Sequence, residues 1–316
     1  MKEGSDRMRA AKTATKTETK ISNKDKRKRV PRIGFHAPIA GGLQNALLKA
    51  HELGCTAVQI FSRNPRGWTA RPLDAEDIER FQVVRAETKI SPVVIHASYL
   101  INLAAADPVI REKSTVAFRE EIERGITLGA DYLVVHPGSA KGSCEAEGVR
   151  TCAASLARAC EGLDLGSFRI LIENTAGQGD CIGHRFEHLR DIIEACSGLN
   201  LGVCLDTAHA FAAGYDIRDE DGLAATLEAL DHNVGVENIP VVHFNDSKAA
   251  YNSRVDRHWH LGEGLIGSEA LARIVCHPKL THAAFLLETP QERPTDDLRN
   301  IDVLRAFVNG DDCRSK

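Results

Sequence analysis

From residue 31 onward, short apolar or β-branched runs alternate with longer amphipathic stretches. Eight of the runs read as strands, at 32–36, 57–61, 93–96, 132–136, 169–173, 202–206, 241–244 and 284–288. Between them lie helix-like segments such as 43–53, 74–88, 108–128 and 185–196, with Asp74 and Asp107 placed as N-caps. The strands are apolar almost throughout, as expected for a sheet covered on both faces. Eight strand–helix units of this kind predict the α/β class and a closed (β/α)₈ TIM barrel, with a doubly wound open sheet as the alternative.

At 316 residues and 43% hydrophobic content the chain can bury the core of one large barrel. The expected organisation is a barrel domain over 31–310, flanked by a tail at 1–30 and a short C-terminal tail at 311–316. No apolar run reaches the 18 or so residues of a membrane span, and the N-terminus lacks the apolar core of a signal peptide. A cytoplasmic protein is expected, nuclear if the source is eukaryotic.

Charge divides the chain. Residues 1–30 hold eleven Lys/Arg against four Asp/Glu, a net +7, which leaves −11 for the remainder of a chain whose total is −4. With few large apolar residues, the tail is expected to be disordered. Its KDKRKR run at 24–29 suits a phosphate-binding arm, a localisation signal or a plain solubilising extension. An acidic body does not exclude nucleic acid, because metal ions held by its carboxylates would reverse the local field. The nine cysteines form no C-x-x-C pair and lie mostly in apolar patterns, as at Cys160, Cys196 and Cys204, so reduced core thiols are expected.

The chemistry collects at the strand ends. His36, His96, His136, Glu173, Asp206, His243 and Glu288 are the last or nearly the last residues of strands one, three, four, five, six, seven and eight. In a parallel barrel all such ends open on one face, where barrel enzymes carry their active sites. A lone histidine at a strand end is usually a core or capping residue; seven polar groups in phase with the strands point to a common site. His51, His184, His188, His232, His277 and His282 fall in helix-like segments or their flanks and are expected on the surface.

Two further groups join the set. His209 follows Asp206 by three residues, one helical turn if the chain coils after strand six. Asp256 and His258 alternate in D-R-H, so in extended chain both point to one side and Arg257 to the other. With His36 set aside as a supporting or phosphate-facing residue, five His, two Asp and two Glu surround one opening. That is too rich for one tetrahedral ion and suits a two- or three-metal hydrolytic cluster. The absence of cysteine argues against a structural thiolate zinc.

The motifs GFHAPIAGGL, QIFSRNPRGW, HASYLINLA, VVHPGS, LIENTAGQG, LDTAHAFAAGYD, HFNDSK, SRVDRHWHLGEGLIG and LLETP, in one colinear series, resemble those of the endonuclease IV family. The resemblance implies a TIM barrel with three Zn²⁺ ions that cleaves double-stranded DNA 5′ to abasic sites in base-excision repair, leaving a 3′-hydroxyl, with 3′-end cleaning as a further activity. It implies His96, His136 and Glu173 on a first zinc, and Glu173 bridging to a second with Asp206, His243 and Glu288. His209, Asp256 and His258 would hold the third, and Mn²⁺ can replace zinc at a carboxylate-rich position. Glu173 would also be the catalytic carboxylate. Arg66, Tyr99 and Leu100 would enter the DNA stack, with His36 also near the nucleic acid, and a monomer is expected.

Departures from the family pattern fall at Gly67, Ala97, Asn252, Trp259 and His260. The first two touch damage recognition, and Asn252 stands where glycine is frequent but tolerates a left-handed turn. His260 is an additional candidate ligand beside the third metal. A divalent-metal sugar isomerase on the same barrel stays open as an alternative, although D-R-H and His209 have no role there. A damage-binding protein without catalysis is a third option.

Overall fold

In the computed structural model, which describes residues 30–310 and Cys313, the chain forms an eight-stranded parallel barrel ringed by helices. The strands are β1 (Arg32–Phe35), β2 (Val58–Phe61), β3 (Val93–His96), β4 (Tyr132–Val135), β5 (Arg169–Glu173), β6 (Leu201–Asp206), β7 (Val241–His243) and β10 (Ala284–Leu287). A separate two-stranded antiparallel ribbon pairs β8 (Asp246–Ser247) with β9 (His258–Trp259). The helices are α1 (Gln44–Glu52), α2 (Ala75–Thr88), α3 (Pro108–Leu128), α4 (Glu145–Cys160), α5 (Phe186–Ala195), α6 (Thr207–Ala213), α7 (Glu220–Val234), α8 (Ser268–Val275) and α9 (Asp296–Asn309). The open-sheet alternative is excluded by the pairing of β1 with β10 and the single parallel bridge His36–Gln59, which joins β1 to β2. Both tails lie outside the described residues, apart from Val30 and Cys313.

Each strand sits where the apolar pattern places it, within one residue at either end. The caps follow too: the Asp74 carboxylate accepts from the Asp77 N–H, and Asp107 accepts from the N–H groups of Val109 and Ile110. Side chains split by strand face into two layers. Val94, Val134, Leu171, Cys204, Val241, Ala284 and Leu286 fill the barrel interior, while the alternate residues pack against the helices. At the β1–β2 seam Gly34 is required, since a Cβ there would collide with the Ala57 carbonyl.

Two expectations fail. Cys276 and Cys313 are joined as a disulfide, not reduced thiols; packing of α8 on α9 brings their Cα atoms to 4.7 Å, across 37 residues that carry no spacing signal. Cys55, Cys152, Cys160, Cys196 and Cys204 are buried thiols, while Cys144 is exposed and Cys181 half-buried. His184 and His188 are not surface residues: both are buried, their Nε2 atoms 3.4 Å from the two oxygens of Glu145 at the start of α4. Backbone turns bury them, since His184 Nδ1 faces the Cys181 carbonyl and Gly183 N–H donates to His188 Nδ1. The latter bond leaves the His188 proton on Nε2, facing the carboxylate, which makes this trio a clasp between α4 and α5. Among the described residues no helix is long and apolar enough to cross a membrane.

Candidate metal centre at the barrel rim

The C-terminal ends of the strands and three following segments build the site. β3, β5, β6 and β7 end on His96, Glu173, Asp206 and His243, while His136 and Glu288 directly follow β4 and β10. Asp206 doubles as the N-cap of α6, accepting from the His209 N–H at 2.6 Å, and that first turn swings His209 back over the barrel mouth. The β8–β9 ribbon delivers His258, with Asp256 just before it.

Glu173 is the centre. Fully buried, it turns Oε2 toward His96 Nε2 (3.3 Å) and His136 Nε2 (2.9 Å), and Oε1 toward His243 Nδ1 (2.9 Å). One carboxylate thus serves two groups of donors, one oxygen to each. His243 Nδ1 also lies 3.2 Å from Glu288 Oε2. On the far side His209 Nε2 meets His258 Nε2 at 3.2 Å and Asp256 Oδ2 at 3.3 Å, with Asp206 Oδ2 3.5 Å from His258 Nε2. Side-chain exposure rises from 0% at Glu173 to 35% at His136 and 43% at Asp256, so the bowl opens on that side.

Electrostatics match a site built for cations. Burial alone would raise Glu173, yet His243 and His136 hold it well below its ordinary value. Glu288 and Asp256 are likewise depressed against burial, the first by His243, His36 and His96, the second by His209 and His258. Burial would pull His209 down, but Asp206, Asp256 and Glu173 hold it well above normal. The same contest at His243 is won by Cys204, Glu173 and Glu288, and His96 is raised by Glu173 and Glu288. Protons on these imidazoles occupy the place of positive charge that divalent ions would supply.

Among the described residues five sets of donor atoms lie within 4.8 Å of one another, and four of them line the barrel mouth: His96, His136 and Glu173; Glu173, Asp206, His243 and Glu288; His96, His243 and Glu288; and Asp206, His209 and His258; the fifth is Glu145 with His184 and His188. Mixed imidazole and carboxylate donors fit zinc-like ions. The imidazoles are also held from behind, since His96 Nδ1 faces the Ala97 carbonyl at 2.8 Å and His209 Nδ1 that of Asn174 at 2.9 Å. At Ala97 the useful group is therefore the backbone carbonyl, which any residue supplies. His260 is not beside the third group: it is buried against α9, its Nδ1 accepting from Asn300 Nδ2. Asn252 does take the left-handed conformation, at φ 56°.

Several supporting residues escaped the sequence reading. Asn174 Oδ1 accepts from the Asp206 N–H and its Nδ2 donates to the Asp206 carbonyl, tying β5 to β6. Asn245 donates from Nδ2 to Asp206 Oδ2 and accepts at Oδ1 from the Glu288 N–H. Gln178 Oε1 accepts from the Asp256 N–H. Asn174 directly follows Glu173 and Asn245 stands two residues after His243, an adjacency visible in the sequence, whereas Gln178, five residues past the end of β5, carries no such signal.

The residues expected to meet DNA stand at the rim. Tyr99 is 64% exposed, its ring 5.2 Å from Phe61 and 5.9 Å from His96. Leu100 is half-buried beside it, and Arg66 is exposed. Ser98 Oγ donates to the Pro65 carbonyl at 2.7 Å, which holds the Arg66 loop against the Tyr99 loop. His36 is half-buried at the edge of the cleft, 3.3 Å from Glu288.

Residues 47–307 match the family model described as a xylose isomerase-like TIM barrel. A probable endonuclease 4 of Solibacter usitatus is 47% identical over 280 residues, covering 88% of this chain and 97% of the relative. An endonuclease 4 of Thermus thermophilus is 44% identical over 285 residues, covering 88% and 99%. The crystal structure of endonuclease IV from another strain of Thermus thermophilus superposes with a TM-score of 0.80 at 42% identity, covering 88% of this chain and 99% of that one.

Proposed function

Because this chain belongs to the endonuclease IV family of DNA-cleaving repair hydrolases, we propose that it cuts double-stranded DNA 5′ to abasic sites and leaves a 3′-hydroxyl. The same site would clean blocked 3′-ends. We assign His96, His136 and Glu173 to a first zinc, Glu173, Asp206, His243 and Glu288 to a second, and His209, Asp256 and His258 to a third. Asp206 Oδ2 also reaches toward the third group, at 3.5 Å from His258 Nε2. The single observation that carries the assignment is Glu173, whose two oxygens face separate donor groups from the floor of the bowl.

Held by these residues, the ions would supply Lewis acidity, neutralising phosphate charge and making a nearby water more acidic. Glu173 orients the attacking water from its fixed position. The carbonyls behind His96 and His209 keep those rings aimed inward. At the rim, Arg66, Tyr99 and Leu100 enter the DNA stack and fill the gap left when the damaged nucleotide turns out, with the Arg66 charge close to the DNA backbone. An abasic nucleotide has no base to unstack, so turning it out costs least. The partner is therefore duplex DNA with an abasic site.

The barrel is shared with sugar-processing enzymes, so the direct test sets the two chemistries side by side. Purified protein is incubated with an abasic-site duplex and with a panel of aldoses. Incision 5′ to the lesion without aldose turnover is expected; aldose isomerisation without incision would overturn the proposal.

A further inference from the structure

Gln59 is a polar residue in the middle of β2, fully buried, at the seam where β1 and β2 close the barrel. Its amide is completely used. Nε2 donates to Glu288 Oε1 at 2.6 Å and lies 3.0 Å from His36 Nδ1, while Oε1 is 2.8 Å from His243 Nε2. The orientation of the amide follows from Glu288, since an ionised carboxylate only accepts and must meet the NH₂ end. Oε1 then faces His243, which must donate from Nε2–H.

Nδ1 of His243 is then the atom left facing Glu173 Oε1 and Glu288 Oε2, at 2.9 and 3.2 Å. A nitrogen this close to two carboxylate oxygens needs a positive charge between them, a proton in the metal-free chain or a metal ion in the loaded one. At three other imidazoles of the bowl the outer nitrogen faces a backbone carbonyl: Ala97 behind His96, Asn174 behind His209, Glu288 behind His258. At His243 a side-chain amide takes that place, and it reaches the neighbouring ligand Glu288 as well.

We propose that Gln59 is a positioning residue that fixes His243 as the Nε2–H tautomer, presents its Nδ1 to the metal shared with Asp206 and Glu288, and holds Glu288 in register with it. This rests on the three-metal reading above.

The test compares wild type with Gln59→Leu, which keeps the bulk and removes all three hydrogen bonds. Metal-stripped proteins are titrated with Zn²⁺ against a chromophoric chelator, and histidine tautomers are read from long-range ¹H–¹⁵N spectra of the zinc-loaded forms. In wild type, His243 should appear as Nε2–H. In Gln59→Leu, one zinc of the complement should weaken by about 10- to 100-fold, the range for lost supporting partners of a metal ligand, with the others within about 2-fold. Should that variant fail to fold, Gln59→Glu keeps the acceptor for His243 and loses the donor for Glu288; it should retain the tautomer and again weaken one zinc alone. Unchanged affinities, equal weakening of every zinc, or an Nδ1–H tautomer in wild type would overturn the proposal. A wild-type chain that binds no zinc at all would instead overturn the metal reading on which it rests.

Discussion

Replacing Glu173 by Gln keeps the side chain's shape and removes the charge that His96, His136 and His243 face. Turnover of an abasic duplex should fall at least about 100-fold, beyond the upper end for loss of a supporting partner, while circular dichroism stays native; wild-type turnover at full metal loading would exclude Glu173 from the chemistry. Removing metal exposes the opposed titrations of the bowl. His209 and His243 are raised above their ordinary 6.5, so their stabilisation is complete below 6.5 and is lost as pH climbs through the raised values. Glu173 and Glu288 are depressed below their ordinary 4.5, so theirs is present above 4.5 and is lost on acidification. Metal-stripped protein should therefore unfold at its highest temperature between these limits and soften toward alkaline pH, and added Zn²⁺ should cancel the alkaline decline. A melting temperature flat from neutral to alkaline pH would contradict this. At the rim, Arg66→Ala should weaken DNA binding and reduce the salt slope by about 0.9, the value for one phosphate contact; an unchanged slope would remove Arg66 from the interface.

The element that depends most on a hidden residue is the loop after β9. Asp246, fully buried in β8, accepts from the N–H groups of Gly262, Gly264 and Ile266, at 3.0, 3.0 and 2.9 Å. Gly264 has no room for a side chain, which would strike that carboxylate. Asp246→Ala should cost on the order of 3 kcal/mol in unfolding free energy, because several buried N–H groups lose a charged acceptor. A denaturation midpoint like that of wild type would show the loop to be held by other contacts. The barrel strands were legible because they are buried on both faces, so the apolar run and the strand coincide and the first polar residue marks the rim. His96 and Glu173 show this most clearly. The β8–β9 ribbon was not: Asp246–Ser247 and His258–Trp259 are two residues each, too short for any period to register.

For the whole molecule, sequence order and spatial order agree where local pattern decides and diverge where distant segments meet. Six of the nine proposed ligands gather at one mouth because a parallel barrel sends every strand end to the same side, and α6 and the β8–β9 ribbon bring the other three, His209, Asp256 and His258, to it. By contrast, Cys276 and Cys313 meet only through packing of α8 on α9, and His184 and His188 are buried by backbone turns before α5 that no periodicity announces. Gln59 carried a faint sign, a single polar residue inside an otherwise apolar strand. Beyond the +7 tail the body is net −11, and a cluster of divalent ions over the carboxylates would supply positive charge to DNA at the site itself. The most direct measurement is therefore abasic-duplex incision followed as metal-stripped protein is titrated with Zn²⁺, with bound metal counted in the same samples. Incision should be absent without metal and reach its plateau only as about three ions per chain are bound; full-rate incision by the stripped chain would contradict the account.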